Sequence, residues 1–170
     1  AAGIIKGNQV RKQFVVIVLL LVAVGLAAEG RQEAELIQSF DIQSVRRLIV
    51  ERGSVFDVEI AGYSGNSVKV EVYATPDDEV VQSQRGSDAV ITYRGEIGIR
   101  AIGSVRRLLV IRVPSRMTVD IRTSTGDISV ESVTGEKSLE STTGTITVRS
   151  SDGDVVGRST TGDQRYDYVK

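Results

Sequence analysis

Histidine and cysteine are both absent from the 170 residues of this chain. The first absence removes imidazole acid–base chemistry and the commonest metal ligand. The second removes thiolate nucleophiles, disulfides and thiolate zinc sites. Tryptophan is missing too, aromatics are 5% of the chain, and proline occurs only twice. The core must therefore be built from Val, Ile and Leu, which favour strands. The turns must rest on the 17 glycines, whose backbone tolerates positive φ. Lys and Arg number 21 against 22 Asp and Glu, a net charge of −1. Such balance gives no long-range pull toward nucleic acid. The lack of cysteine leaves the compartment open, since cytosol and periplasm both accommodate it.

What is present begins with an apolar run, Phe14 to Ala28, reading FVVIVLLLVAVGLAA. Lys6, Arg11 and Lys12 precede it, and Glu29 and Arg31 follow. A cleaved signal peptide and a retained anchor both fit this layout. The expectation carried forward is a transmembrane helix over residues 14–30, with residues 14–28 in membrane lipid. A run this short spans a bilayer when its flanking charges snorkel and the membrane thins locally. The basic flank places residues 1–13 in the cytoplasm and the rest outside. Residues 31–44 are polar and moderately helix-forming, and read as a linker to a β-domain over 45–170.

Beyond Val45 the pattern has period two. Val68, Val70, Val72 and Ala74 alternate with Lys69, Glu71 and Tyr73, as do Leu109, Ile111 and Val113 with Val110 and Arg112. Such alternation marks half-buried strands. Turn-forming clusters separate them, among them Thr75-Pro76-Asp77-Asp78 and Arg85-Gly86-Ser87-Asp88. A weak echo relates Ser44–Val50 (SVRRLIV) to Ser104–Val110 (SVRRLLV), and suggests similar strand environments.

The strongest pattern comes last. Gly126, Gly135, Gly144, Gly153 and Gly162 recur every nine residues. Four positions after the first four stand Val130, Leu139, Val148 and Gly157, and six after stand Ser132, Ser141, Ser150 and Ser159. Fixed-period self-similarity is the mark of stacked repeats. Each unit reads as a short strand, a bend at Ser and a corner at Gly.

Charge decides how many units close one rung. Five positions after each glycine come Glu131, Glu140, Arg149, Arg158 and Asp167, with Arg122 in the same phase upstream. One unit per rung would stack Glu131 on Glu140 and Arg149 on Arg158, and like charges on adjacent strands repel. Two units per rung give the ladders Arg122–Glu140–Arg158 and Glu131–Arg149–Asp167, both alternating in sign. The expected fold is therefore all-β: a β-solenoid of about 18 residues per rung with two opposed sheets, preceded by one N-terminal transmembrane helix.

Candidate chemistry is sparse. Asp127, Glu136, Asp154 and Asp163 follow repeat glycines, but each unit carries one glycine where calcium-binding β-rolls carry three. Carboxylates at tight turns ordinarily accept backbone hydrogen bonds, so no metal is expected. Asp77 and Asp78 read as solvated turn acids. Arg46, Arg47, Arg106 and Arg107 form a candidate contact surface, together with Tyr166 and Tyr168 near the last strand. Phosphate-cradling loops and nucleophile elbows do not occur. No catalytic residue, cofactor, nucleic acid or small-molecule ligand is expected.

Residues 45–163 resemble a bacterial family of membrane-associated "putative adhesin" domains with β-strand repeats, related to the head domains of auto-transporter-like adhesins. The resemblance is carried by Leu48-Ile49-Val50, by Val68–Val72, by the Val113-Pro114-Ser115-Arg116-Met117 turn and by Ser124–Val130. It implies a single-stranded β-helix outside the cytoplasm with no defined molecular activity. The functional expectation is a non-catalytic protein anchored in the bacterial inner membrane. Its periplasmic or extracellular β-domain would serve as accessory or scaffold subunit beside other membrane proteins. The alternative is a cell-surface adhesin or binding module able to self-associate.

Overall fold

The computed structural model describes residues 34–95 and 105–167. The apolar run expected as an anchor lies outside them. Among the described residues no helix is long and apolar enough to cross a membrane.

Alternating valines and isoleucines dictate strands, and strands make up the described chain. They are β1 (Glu35–Gln43), β2 (Arg47–Ser54), β3 (Asp57–Tyr63), β4 (Ser67–Ala74), β5 (Val80–Arg85), β6 (Asp88–Tyr93) and β7 (Leu108–Pro114). There follow β8 (Thr118–Thr125), β9 (Ile128–Glu131), β10 (Lys137–Thr143), β11 (Ile146–Arg149), β12 (Val155–Thr161) and β13 (Gln164–Asp167). A seven-stranded sheet has the order β1-β4-β7-β3-β9-β11-β13, and a six-stranded sheet the order β12-β10-β8-β2-β6-β5. The core lies between them. Leu48, Val58, Val70, Ile111, Ile121, Val130, Leu139 and Val148 are at most 1% exposed.

From β7 onward the chain alternates strictly between the two sheets. Where strands of β8 to β13 pair with one another, every paired residue is parallel to its partner and 18 positions away: Lys137 lies between Val119 and Val155, and Ile146 between Ile128 and Gln164. The chain thus returns over itself after two strands, so the two strands of a rung run in opposite directions.

The order of rungs is not the order of the sequence. The β2–β3 rung sits between β7 and β9 in one sheet and between β6 and β8 in the other. The chain lays this rung down first and detours through β4, β5 and β6. It then steps across it from β7 to β8. The Val113–Met117 turn makes that step: Ser115 N–H donates to the Tyr63 carbonyl, and its own carbonyl accepts from Thr134 N–H. Antiparallel strands flank the early end, with β4 against β1 and β7, and β5 against β6.

Two expectations need correction. Residues 31–44 were expected to be a linker, yet β1 occupies Glu35–Gln43 and pairs with β4 from Glu35↔Ala74 to Gln43↔Ser67. A register shift between Leu36 and Gln38 breaks the period, and only Phe40 and Ile42 point usefully inward after it. Pairing to β4 overrides the helical propensity of the segment. The echoed SVRRL segments also diverge. Leu48 and Val50 of β2 are buried in the six-stranded sheet, whereas β7 buries Leu109 and Ile111 in the seven-stranded one. Aligned residues therefore face opposite ways.

Candidate interaction surfaces

The repeat glycines fall into two columns. Gly126, Gly144 and Gly162 stack at one corner with φ of 152°, 151° and 139°. A side chain on Gly144 would strike the carbonyl of Gly126, and one on Gly162 the carbonyl of Gly144. Gly135 and Gly153 form the other corner, against the carbonyls of Met117 and Thr134. The serine six places after each glycine splits the same way. Ser132 and Ser150 bend the chain with φ of 57° and 46°. Ser141 and Ser159 stay in their strands and donate to the carbonyls of Gly126 (3.1 Å) and Gly144 (2.9 Å).

The charged residues are set in facing rows. Glu140 lies opposite Arg122 and Arg158 on the six-stranded sheet. Arg149 lies opposite Glu131 and Asp167 on the seven-stranded sheet, with Arg149 Nε 3.9 Å from Asp167. Arg122 also bonds Asp120 at 3.1 Å on its own strand. The acids after the glycines are used in part between rungs. Asp57 Oδ1 accepts the Asp127 amide, and Asp127 Oδ1 accepts the Thr145 amide. Among the described residues no cluster of three or more carboxylates is arranged to hold a metal ion.

The four arginines do not make a free basic patch. Arg47 binds Asp88 at 2.6 Å, and Arg106 binds Asp57 at 2.6 Å on the opposite sheet. Arg107 is nearly buried, its side chain 10% exposed, and donates to both oxygens of Asp78 at 2.8 and 2.9 Å. Arg46 is exposed. Each of the other three faces a carboxylate that became its neighbour only through sheet pairing or loop packing. Tyr166 is 43% exposed and donates to Gln164 at 2.8 Å. Its hydroxyl lies over Gly157, where any side chain would collide with it. Gly157 thus vacates an inward position that Tyr166 covers from the other sheet. Tyr168 lies outside the described residues.

Two buried ionisable groups escaped sequence reasoning. Asp78 is 8% exposed, not solvated. It accepts from Thr75 N–H (3.0 Å), Thr75 Oγ1 (2.7 Å), Tyr93 Oη (2.9 Å) and Arg107. Burial pushes its carboxyl up, but the bonds from Arg107, Thr75 and Tyr93 outweigh this and hold it below its ordinary value. Burial and the adjacent Asp78 push the Tyr93 phenol up. Lys137 occupies the inward position filled by Ile128, Ile146 and Val155 in other units, and is 2% exposed. Its Nζ donates to the carbonyls of Val133 (3.0 Å), Gly135 (2.6 Å) and Asp152. Burial pushes its pKa down, against the pull of Asp152 and Asp154. That break in the apolar column was visible in the sequence.

A groove of about 360 Å³ opens beside the six-stranded sheet, lined by Arg47, Thr118, Asp120, Glu136, Ser138 and Asp154 among others. Its lining is mixed in charge and includes the apolar side chains of Val119 and Val156. Arg47 and Asp120 already hold partners. The lining can offer hydrogen bonds, but it contains no nucleophile paired with a base.

No protein-family model matches the chain, and no curated protein matches it. Two solved structures are similar. A "putative cell adhesion protein" from Clostridium sporogenes ATCC 15579 is 10% identical, with 78% of this chain and 99% of that one covered and a TM-score of 0.47. A "putative adhesin" from Bacteroides fragilis NCTC 9343 is also 10% identical, with 79% and 99% covered and a TM-score of 0.34. At these values the likenesses assign neither family nor function to this chain.

Proposed function

We propose that this chain is a non-catalytic interaction module. It is a β-solenoid of about 18 residues per rung, acting as an accessory or scaffold subunit of a membrane assembly. The observation that carries the reading is the constant 18-residue offset through β8 to β13. It generates two faces with rows of alternating charge, suited to holding a partner in register. The two buried ionisable groups support it. Asp78 is occupied by Thr75, Tyr93 and Arg107, and Lys137 by three backbone carbonyls. The Phe14–Ala28 run with its basic flank would hold the module at the bacterial inner membrane, N-terminus inside.

Detergent extraction of the full chain followed by native sizing tests the reading. Co-migration with other membrane proteins in fixed proportion is the expected result, and a free chain in detergent contradicts it. A second reading, a surface adhesin or binding module, is favoured by the open groove of mixed charge beside the six-stranded sheet. It predicts that Glu136→Lys abolishes binding to the adhesin's target while leaving native sizing unchanged.

A further inference from the structure

The charged row Glu131–Arg149–Asp167 continues across the rest of the seven-stranded sheet through Ala61 on β3, Arg112 on β7, Lys69 on β4 and Asp41 on β1. Alternation of sign breaks at one place in it. Lys69 and Arg112 stand directly opposite each other on adjacent antiparallel strands. Val68, Val70, Ile111 and Val113 beside them are fully buried, so both cations project from the outer face, where both are exposed. Like charges so placed repel. The break lies inside the sheet, with β1 paired on one side and β3 on the other. Among the described residues neither cation forms an ion pair; Lys69 Nζ lies 6.0 Å from the centre of the Tyr63 ring. Glu71 and Glu59, which flank Val110 in the next row, are engaged elsewhere. Glu71 accepts from Tyr73 at 3.0 Å, and Glu59 lies 3.9 Å from Arg106. Packing does not call for either cation, and a local rule broken without a packing gain marks a functional position.

We propose that Lys69 and Arg112 together receive one carboxylate from a side chain of a partner protein, held between the ammonium and the guanidinium by charge-assisted hydrogen bonds. This names the partner chemistry of the interaction module proposed above and rests on that reading. The surrounding charge selects the occupant. Asp41 lies on one side of the pair, Glu131 beyond Ala61 on the other, and Glu59 and Glu71 in the next row. An anionic membrane surface or a polyanion would meet these acids as well as the two cations. A single acid bracketed by bases meets only opposite charges. Strands about 4.8 Å apart put Asp41 about 7 Å from the middle of the pair and Glu131 about 12 Å from it on the far side. Ala61 is exposed and keeps the path to Glu131 low. An extended partner segment crossing the strands, at about 3.4 Å per residue, matches these spacings with a base two positions before its acid and another four after it.

Arg112→Glu separates binding from folding, because it makes the row read acid, base, acid from β1 to β7. Its urea midpoint is expected to rise above that of the parent chain. A fall would overturn the proposal by showing that the two cations are already neutralised within the chain. For binding, the full chain in neutral detergent at low salt is titrated into a fluorescent peptide, Lys-Ser-Glu-Ser-Ser-Ser-Lys. Affinity is expected to drop at least about fivefold when the peptide's Glu becomes Gln, and again when the chain carries Arg112→Glu, since a charge-assisted hydrogen bond is lost in each case. Equal affinity for the two peptides would overturn the proposal. So would binding to phosphatidylglycerol vesicles, absent with phosphatidylcholine and removed by Arg112→Glu, which would give the pair to a lipid surface. Undiminished co-migration of the Arg112→Glu chain with other membrane proteins in native sizing would overturn this assignment and leave the interaction module standing.

Discussion

A nine-residue spacing of glycines hides two kinds of glycine. Gly126, Gly144 and Gly162 combine positive φ with backbone packed against the missing side chain. Gly144→Ala therefore meets both conformational strain, about 1–3 kcal/mol, and a clash with the Gly126 carbonyl. Urea denaturation should show a loss above that range, whereas Gly86→Ala should stay within it. Gly86 also has positive φ, 62°, but open space where a side chain would go. Asp78 carries a second residue-scale prediction. Its folded pKa lies below the ordinary value of about 4, so its stabilisation is present at higher pH and is lost as pH falls through the folded pKa. Asp78→Asn should flatten the fall of stability below about pH 4. Asp78→Ala should cost about 3–5 kcal/mol at neutral pH, because Arg107 is left nearly buried without its carboxylate. An unchanged acid branch in Asp78→Asn would contradict the role given to this carboxylate. The sequence concealed the cluster because Arg107 is 29 residues from Asp78 and no local pattern links them. A Thr-Pro-Asp-Asp turn ordinarily keeps its acids in water.

At the scale of elements, periodicity was legible and exceptions to it were not. The valines of β4 and the aliphatics of β7, β8, β9 and β11 announce their strands by alternation. β1 does not, because its register shift at Leu36–Gln38 breaks the period and its outer face is Glu, Ser and Asp. The units after Gly126 and Gly135 share one consensus, yet they build a four-residue strand, β9, and a seven-residue strand, β10. The difference comes from the corners. Ser132 ends β9 by turning left-handed, while Ser141 stays extended because its hydroxyl reaches the Gly126 carbonyl. Arg149, between Glu131 and Asp167, tests the rows directly. Exposed ion pairs are worth about 0.2–1 kcal/mol each. Arg149→Gln should lose about that much, and Arg149→Glu more, since it adds two like-charge neighbours. Equal losses in thermal denaturation would mean that the rows do not couple.

For the molecule as a whole, the repeat made the late half of the stack readable and the early half remained hidden. Strands joined by short corners can only stack on what came just before, so β8 to β13 follow one another in order. The β2–β3 rung breaks that order because β7 passes it before β8 resumes on its far side. Nothing local in the sequence signals such a step, although the Val113–Met117 turn that performs it was conspicuous. The candidate surfaces were legible as residue types but not as partners, since Asp88, Asp57 and Asp78 reach their arginines through sheet pairing or loop packing. The central claim is the 18-residue return, and a disulfide measures it most directly. Ser129 and Thr147 face each other on β9 and β11, whereas Ser138 and Thr147 are nine apart on opposite sheets. Adjacent strands lie about 4.8 Å apart, within disulfide reach. Mass spectrometry after oxidation should find a bond in the Ser129→Cys/Thr147→Cys chain and none in the Ser138→Cys/Thr147→Cys chain. A bond in the second chain and none in the first would contradict the two-sheet stack.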